Sequence, residues 1–367
     1  MRSWRVVPVT KAARYRRTLA LLICASVEVA AAANAKESAV TAVDETVETS
    51  IAGARAYKAL PADFNADKAS DEQLARYGLP PKPPASASAE SIRLWFDAVE
   101  LAKFRVVPTF QQTSVYHGPA KKVVKGTKPH AGLTPATSSN WSGLVVLDGT
   151  GVFDQKPTTV YGTYVVPTAQ ACGVNERGDY HSSNWIGIDG YFSDDVLQLG
   201  SETDINCTGG GGERVYSWFE WYPNPSTMES SFPVGPGDNI ELIVQANNGQ
   251  SSFLVTFGNW SRRQSWAVKM NPPGGTHLYG NSIEWIVERP EVNSALTTLT
   301  PYLQSVWTSM EATWGPVQTP KVYKPSAPAT GEAFVVTMMS GTSWLSKPSL
   351  YSIATNDAAI FDRNPIP

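Results

Sequence analysis

Charged side chains are scarce in this 367-residue chain: Asp, Glu, Lys and Arg make up 17% of it, and there are four His and three Cys. So few Cys and His leave no ligand set for a structural zinc, and no metal or cofactor is expected. Beyond the first 35 residues no hydrophobic run is long enough to span a bilayer, so a soluble mature product is expected, with no membrane partner. The run Gly209–Gly212 lacks the Lys and the following helix that a phosphate-binding loop needs. Long amphipathic helices are missing from residue 136 onward, which points that part of the chain to a sandwich or barrel.

Turn formers and rings are abundant instead: 28 Gly, 27 Pro, 12 Trp and 14 Tyr. That is the profile of a β-rich extracellular protein. Charge is segregated along the chain. Residues 1–35 carry six Lys/Arg and one acid, residues 36–135 carry 13 and 11, and residues 136–367 carry 11 and 21. The acidic C-terminal part argues against nucleic acid or an anionic membrane as partner and suits work at low pH.

Residues 1–35 read as a secretory signal. Arg14, Arg16 and Arg17 precede the apolar run Leu19–Cys24, and small residues end in Ala33-Asn34-Ala35, a cleavage pattern. A secreted location follows. With Cys24 in that run, Cys172 and Cys207 remain as an even pair, and a disulfide is expected. Residues 36–135 read as a removable pro-segment. Ser70–Gln73 is a capping box opening a short helix that stops at Gly78, and prolines 80, 81, 83 and 84 make a stiff spacer. Ser91–Phe104 has a helical period in Ile92, Trp95, Phe96, Val99 and Ala102. Between Lys103 and His130 there are six Lys/Arg and no acid, so this run is expected to dock on the acidic domain and cover its cleft as an intramolecular inhibitor.

From residue 136 to 367 the pattern is strands and turns. Strands are expected at Leu144–Asp148, Thr158–Val166, Asn184–Asp189, Val196–Ser201, Val215–Tyr222, Asn239–Asn247, Phe253–Trp260, Ser265–Met270, Ser282–Arg289, Ala333–Met339 and Leu350–Ala354, with a weak helix at Ser294–Leu303. Side chains alternate faces along a strand. In four of these strands one face is greasy and the other carries acids, an amide and rings. That second face holds Trp185 and Asp189, Gln198 and Glu202, Trp218, Glu220 and Tyr222, and Glu284 and Glu288. If the four lie in one sheet, their greasy faces pack on a second sheet. The other faces then crowd carboxylates together, which raises some of their pKa values. Large rings would be costly to leave in water, which favours a binding surface over an ordinary solvated face.

The segments Ser139–Gly143, Trp185–Gly190, Leu197–Gly200, Phe219–Pro223, Gly237–Ile240 and Glu284–Glu288, in this order and spacing, resemble the glutamic peptidases, or eqolisins. The resemblance covers residues 138–290. It implies an all-β fold, a jelly-roll or concanavalin-like β-sandwich of two antiparallel sheets, here preceded by a partly helical pro-segment. It also implies a secreted endopeptidase, active in acid and insensitive to pepstatin, acting on polypeptide substrates through a Gln/Glu dyad. Carried across, the dyad is Gln198 and Glu288, with Glu284 as the alternative glutamate. Trp141, Trp185, Asp189, Glu202, Trp218, Glu220 and Tyr222 match positions lining the family's cleft. Glu202 stands where fungal members often have Asp. A monomer is expected.

The chemistry is coherent from first principles. Amide hydrolysis needs a base for water, an acid for the leaving nitrogen and a donor for the oxyanion. A Glu and a Gln supply these without a nucleophilic Ser or Cys. Ser340–Trp344 resembles a subtilase nucleophile loop, but the matching His and Asp motifs are absent, and beyond residue 136 the chain has only His181 and His277. Paired Asp-Thr/Ser-Gly loops are absent too. The triplets at Asn140, Asn206 and Asn259 have glycan-acceptor spacing and are read as coincidental. Two rivals share the pattern of acids and rings: a β-sandwich glycoside hydrolase and a non-catalytic carbohydrate-binding module. The first gives Gln198 no necessary role, and the second would not need the acidic crowding.

Overall fold

The computed structural model describes residues 44–126, 133–147, 158–170, 172, 177–208, 212–246, 253–314, 321–326, 332–353 and 356–363. The signal reading at residues 1–35 and the loop at 209–211 lie outside them, as do His130, Asp148 and Ala354 at the ends of expected segments.

Every strand expected from the sequence is present, most with shifted ends. They pair into two layers. The front layer runs, neighbour to neighbour, through Thr227–Glu229, Glu213–Tyr222, Val196–Asn206, Asp179–Ile188, Ser282–Glu288, Trp141–Leu147 and Ala333–Ser340. The back layer runs through Gln264–Met270, Phe253–Asn259, Asn239–Ala246, Thr158–Val165, Gln304–Trp314, Asn356–Arg363 and Ser343–Ile353. The hairpin from Ala333–Ser340 to Ser343–Ile353 carries the chain from one layer to the other. These pairings are antiparallel; Leu133–Ser138 joins Ala333–Ser340 in parallel at the front edge.

Alternation decides which side of each strand is buried between the layers. Ile186, Ile188, Leu197, Leu199, Phe219, Ile283, Trp285 and Val287 of the front layer share one core with Val160, Leu242, Val244, Val255, Phe257 and Trp266 of the back layer. Polar struts cross this core. Trp285 Nε1 donates to the Tyr161 carbonyl at 2.7 Å, Trp266 Nε1 to Ser217 Oγ at 3.1 Å, and Tyr164 Oη lies 2.6 Å from Ser201 Oγ. A buried indole or phenol with its polar atom matched avoids the cost of an orphaned donor.

Two expectations are corrected. Ser294–Leu303 is not a helix: it holds the short strands Ala295–Leu296 and Thr298–Leu299, the second pairing in parallel with Asp179–Ile188. The strand Gln304–Trp314 was not expected. A register shift between Trp307 and Ser309 breaks its alternation, putting Ser305 and Trp307 in one phase and Met310 and Ala312 in the other.

The N-terminal region has the expected helices, Asp71–Arg76 and Ala89–Ala102. The capping box at Ser70 and Gln73 is formed in both directions, and Gly78 follows the first helix at φ +60. The second helix lies on the outer face of the back layer. Leu94 and Ala98 pack on Tyr161 and Ile243, Ser91 Oγ donates to Glu311 Oε1, and Ser309 Oγ donates to Glu90 Oε1 at 2.7 Å. Strands from this region also extend both layers: Ala54–Tyr57 pairs with Gln264–Met270, and Phe110–Gln112 pairs with Thr227–Glu229. Phe110 enters the central core edge-on to Phe219 and Trp266, with centroids 5.0 and 5.5 Å away. The described residues from 44 to 363 belong to one compact unit. Cys172 and Cys207 are joined by a disulfide, as expected.

Phe110→Ala should lower the unfolding free energy of the full chain by about 3–5 kcal/mol, the usual cost of deleting a buried ring. Urea denaturation followed by tryptophan fluorescence measures it; a change under about 1 kcal/mol would mean that the ring is not part of the core.

Candidate active site

The outer side of the front layer is a lattice set by strand register. One row aligns Glu220, Gln198, Gly187 and Glu284; the row four residues along aligns Tyr216, Glu202, Ser183 and Glu288; between them run Trp218, Gly200, Trp185 and Ile286. Gln198 and Glu288 thus belong to strands separated by one other, Asp179–Ile188. Glycines hollow out this face. A Cβ on Gly187 would meet the Trp185 ring at 2.9 Å, and one on Gly200 would meet the Asn184 carbonyl oxygen at 2.1 Å.

The acids of both rows are fully covered. Glu202, Glu220, Glu284 and Glu288 are each at most 1% exposed. Asn140 Nδ2 donates to Glu288 Oε1 at 3.0 Å and Trp185 Nε1 donates to Oε2 at 2.8 Å. Burial pushes the Glu288 carboxyl well above the usual range, against the opposing pull of those donors. Burial likewise raises Glu202 well above its ordinary value and Glu220 to about 7. Glu284 is raised by burial as well; the Ser282 hydroxyl pulls the other way, but neither carboxyl oxygen makes a well-formed hydrogen bond. This separates the two glutamates of the motif: Glu288 is oriented by two well-formed hydrogen bonds, Glu284 by none.

The cover is the chain's own segment Val115–Lys121. Val115–Tyr116 pairs with Glu291–Val292, and the Ala120 amide donates to the Gly190 carbonyl at 2.9 Å. The Lys121 amide donates to Asn140 Oδ1 at 2.7 Å, and its ammonium pairs with Glu291 at 2.5 Å. Between these anchors, Gln198 Nε2 donates to the His117 carbonyl, and Trp141 Nε1 donates to the Gly118 carbonyl at 3.1 Å. The His117 ring stacks on Trp218, with Nδ1 2.8 Å from Glu220 Oε2 and Nε2 2.8 Å from Glu202 Oε2. The Tyr222 ring lies against Gly118, 3.3 Å from where a Cβ would stand.

Most of the expected site residues therefore converge. Gln198, Glu288, Trp141, Trp185, Glu202, Trp218, Glu220 and Tyr222 touch this segment or one another. Asp189 is set apart. It sits at φ +72 at a strand end, and its carboxylate accepts from the Gly280 and Asn281 amides at 2.8 and 2.7 Å. Burial raises it to about 6, against the pull of those amides. Its role here is to hold the turn before Ser282–Glu288.

Sequence reading missed two residues. Asn140, passed over as half of a coincidental glycan triplet, is 1% exposed and bridges Glu288 and the Pro119 carbonyl, the latter at 3.1 Å. His117 was hidden inside a run noted for its charge. The available signal was His-Gly-Pro, a titratable ring followed by two residues that break regular structure. The expected charge docking is carried less by Lys and Arg than by backbone and His117; Arg105, for instance, is buried on the Tyr77 and Gly78 carbonyls.

His181, Glu202 and Asp204 place ligand atoms within 4.8 Å of one another, the geometry of a possible cation site. His181 Nδ1 already meets Asp204 Oδ1 at 2.7 Å and Glu202 Oε2 meets His117 at 2.8 Å, so each of the three already has a hydrogen-bond partner.

The class that the fold and site define is a two-layer β-sandwich with a buried amide and buried carboxyls on the outside of one layer. This chain belongs to the Peptidase A4 family, whose pattern matches residues 139–326. The chain is 31% identical over 153 residues to scytalidopepsin B of Scytalidium lignicola, a stretch that is 41% of this chain and 51% of that protein. It thus spans about half the length of that curated relative. Among solved structures, scytalido-glutamic peptidase bound to a transition state analog inhibitor matches at 20% identity and a TM-score of 0.48, over 62% of this chain and 98% of that one. The aspergilloglutamic peptidase from Aspergillus niger matches at 27% identity and a TM-score of 0.42, over 50% and 99%.

Burial acts on acids outside the cleft too: Glu241, beneath the helix Ala89–Ala102, is raised to about 8. A carboxyl raised on folding stabilises the protein below its unfolded value, near 4.5, and that contribution is lost as pH rises toward 8. Glu241→Gln, which keeps an acceptor for Trp260 Nε1, should therefore flatten the fall in melting temperature between about pH 4.5 and 8. Parallel wild-type and variant slopes in calorimetry across that range would show that Glu241 ionises normally.

Proposed function

We propose that this chain is a secreted, acid-active endopeptidase in which Glu288 is the general base and then the general acid, and Gln198 is the oxyanion donor. The observation that carries this reading is the Gln198 side-chain amide donating to a backbone carbonyl that crosses the cleft beside Glu288. A peptide substrate following that course would meet an oxyanion donor on one side. On the other it would meet a carboxyl whose two oxygens are held by Asn140 and Trp185. Glu288 as carboxylate takes a proton from water; the water oxygen adds to the carbonyl carbon; Gln198 donates to the developing oxyanion; and Glu288 returns the proton to the leaving nitrogen. Burial holds the Glu288 carboxyl up while the groove is covered; uncovering it lets water in and lowers that pKa toward the acid range in which a carboxylate base is needed. The alternative glutamate, Glu284, has no well-formed hydrogen bond to orient it.

In the same reading residues 1–35 are the signal, and 36–135 contains the inhibitor. The inhibitory element is the stretch Val115–Lys121, which fills the groove that a polypeptide substrate would use. Among the described residues no helix is long and apolar enough to cross a membrane. The glycosidase and lectin readings lose ground to the family membership and to the amide–carbonyl contact, which is made to a peptide backbone.

The test is incubation of the full chain at about pH 3–4, in the range where ordinary carboxyls protonate. The expected outcome is self-processing and digestion of a denatured protein, unaffected by pepstatin. Release of reducing sugar without proteolysis would refute it. Gln198→Ala should lower kcat by about 10²–10³, as loss of an oxyanion donor does, and Glu288→Gln should remove turnover, both with unchanged circular dichroism. Wild-type turnover in purified Glu288→Gln, by peptide-release assay, would move the base elsewhere.

A further inference from the structure

We infer that the pocket formed by Glu202, Trp218 and Glu220 is a histidine-selective subsite, receiving the side chain on the N-terminal side of the bond to be cut. This rests on the peptidase reading above. His117 fills this pocket in a defined way. Its imidazole lies flat on the Trp218 indole, with ring centres 3.6 Å apart and 4° between planes. Each ring nitrogen meets a different carboxyl, Nδ1 on Glu220 and Nε2 on Glu202, both at 2.8 Å. His117, Glu202 and Trp218 are fully buried and Glu220 is 1% exposed. Trp218 is itself held from below, its Nε1 donating to Ser183 Oγ at 3.0 Å, so the floor of the pocket is fixed.

Other side chains satisfy only part of this. Phe or Tyr can stack but leaves ring carbons facing two buried carboxyls, and an unmatched buried polar group costs about 1–3 kcal/mol. Lys brings one head and no flat surface. Imidazole fits in either protonation state. When neutral, it accepts from a protonated carboxyl at one nitrogen and donates to a carboxylate at the other. When charged, it donates to both.

The backbone fixes which subsite this is. Gln198 donates to the carbonyl of His117 itself, so His117 contributes the carbonyl that the proposed chemistry attacks. The bond set up in the cleft is His117–Gly118. In its hydrolysis the water oxygen bonds to the His117 carbonyl carbon and the bond to the Gly118 nitrogen breaks. One water proton passes through Glu288 to that nitrogen, leaving a carboxyl on His117 and a free amine on Gly118. The chain's own segment is then a substrate-like occupant of the cleft, and a guide to what the cleft prefers.

Two experiments test the subsite, the first without any need for activity. In the full chain at neutral pH, His117→Ala empties the pocket. Added imidazole should raise the melting temperature of this variant and not of wild type, whereas toluene should not; an equal or larger effect of toluene would overturn selectivity for imidazole. In the second, the acid-treated full chain is given peptides of the sequence Ser114–Lys125 with His, Phe, Leu, Lys or Ala at position 117. Cleavage after position 117 should have a kcat/KM for His at least about tenfold above every other residue, because a site built for hydrogen bonds rejects analogues lacking them. Phe or Leu equal to His would sink the subsite and leave the peptidase reading standing. If neither these peptides nor a denatured protein is cut, the peptidase reading falls, while the melting shift with imidazole still reports on the pocket.

Discussion

Desolvation of carboxyl groups is the constraint on which this structure turns. Four glutamates stand on one face of one sheet, all of them hidden from water. An ionised carboxyl in such a place is expensive unless donors or cations meet it, so each group either finds a partner or holds its proton. Glu288 has Asn140 and Trp185, Glu202 and Glu220 share His117, and Glu284 has no well-formed hydrogen bond on either oxygen. The same rule shapes the opposite surface, where Glu90 and Glu311 take hydroxyl donors across the contact between helix and sheet. A fold built this way is at ease in acid, where protonated carboxyls require no counter-charge.

The N-terminal region has two relations to the sandwich. Residues 54–57 and 110–112 are strands of its layers, and Phe110 is a member of its core. Residues 115–121 lie across the cleft instead, tied by backbone bonds at both ends and by one histidine in the middle. Covering and folding are therefore done by different parts of one segment. A cut within the cleft-crossing part can open the groove without removing the strands that complete the sheets.

Much of this was legible from residue patterns. Period-two alternation named the strands and their greasy faces because a sheet buried on one side enforces it at every second residue. It failed at Gln304–Trp314, where a register shift changes the phase midway. It also assigned Asp189 to the shared face, correctly by phase. What phase cannot say is that the strand ends there at a positive φ and turns the carboxylate onto two backbone amides. Asn140 and His117 were passed over for a related reason: their work is done through contacts with residues 148 and 103 positions away, and the local His-Gly-Pro pattern marks a break in regular structure without saying what it meets.

The sequence by itself determined the all-β class, the pairing of Cys172 with Cys207, the helices of the N-terminal region and the set of side chains facing one way, because each follows from local periodicity, turn chemistry or simple counting. Tertiary structure alone decided which acid acquires donors, which residue lies between the amide of Gln198 and the ring of Trp218, and where the N-terminal region joins the sheets. Those outcomes depend on register between strands distant in the chain, and on the water that their packing expels.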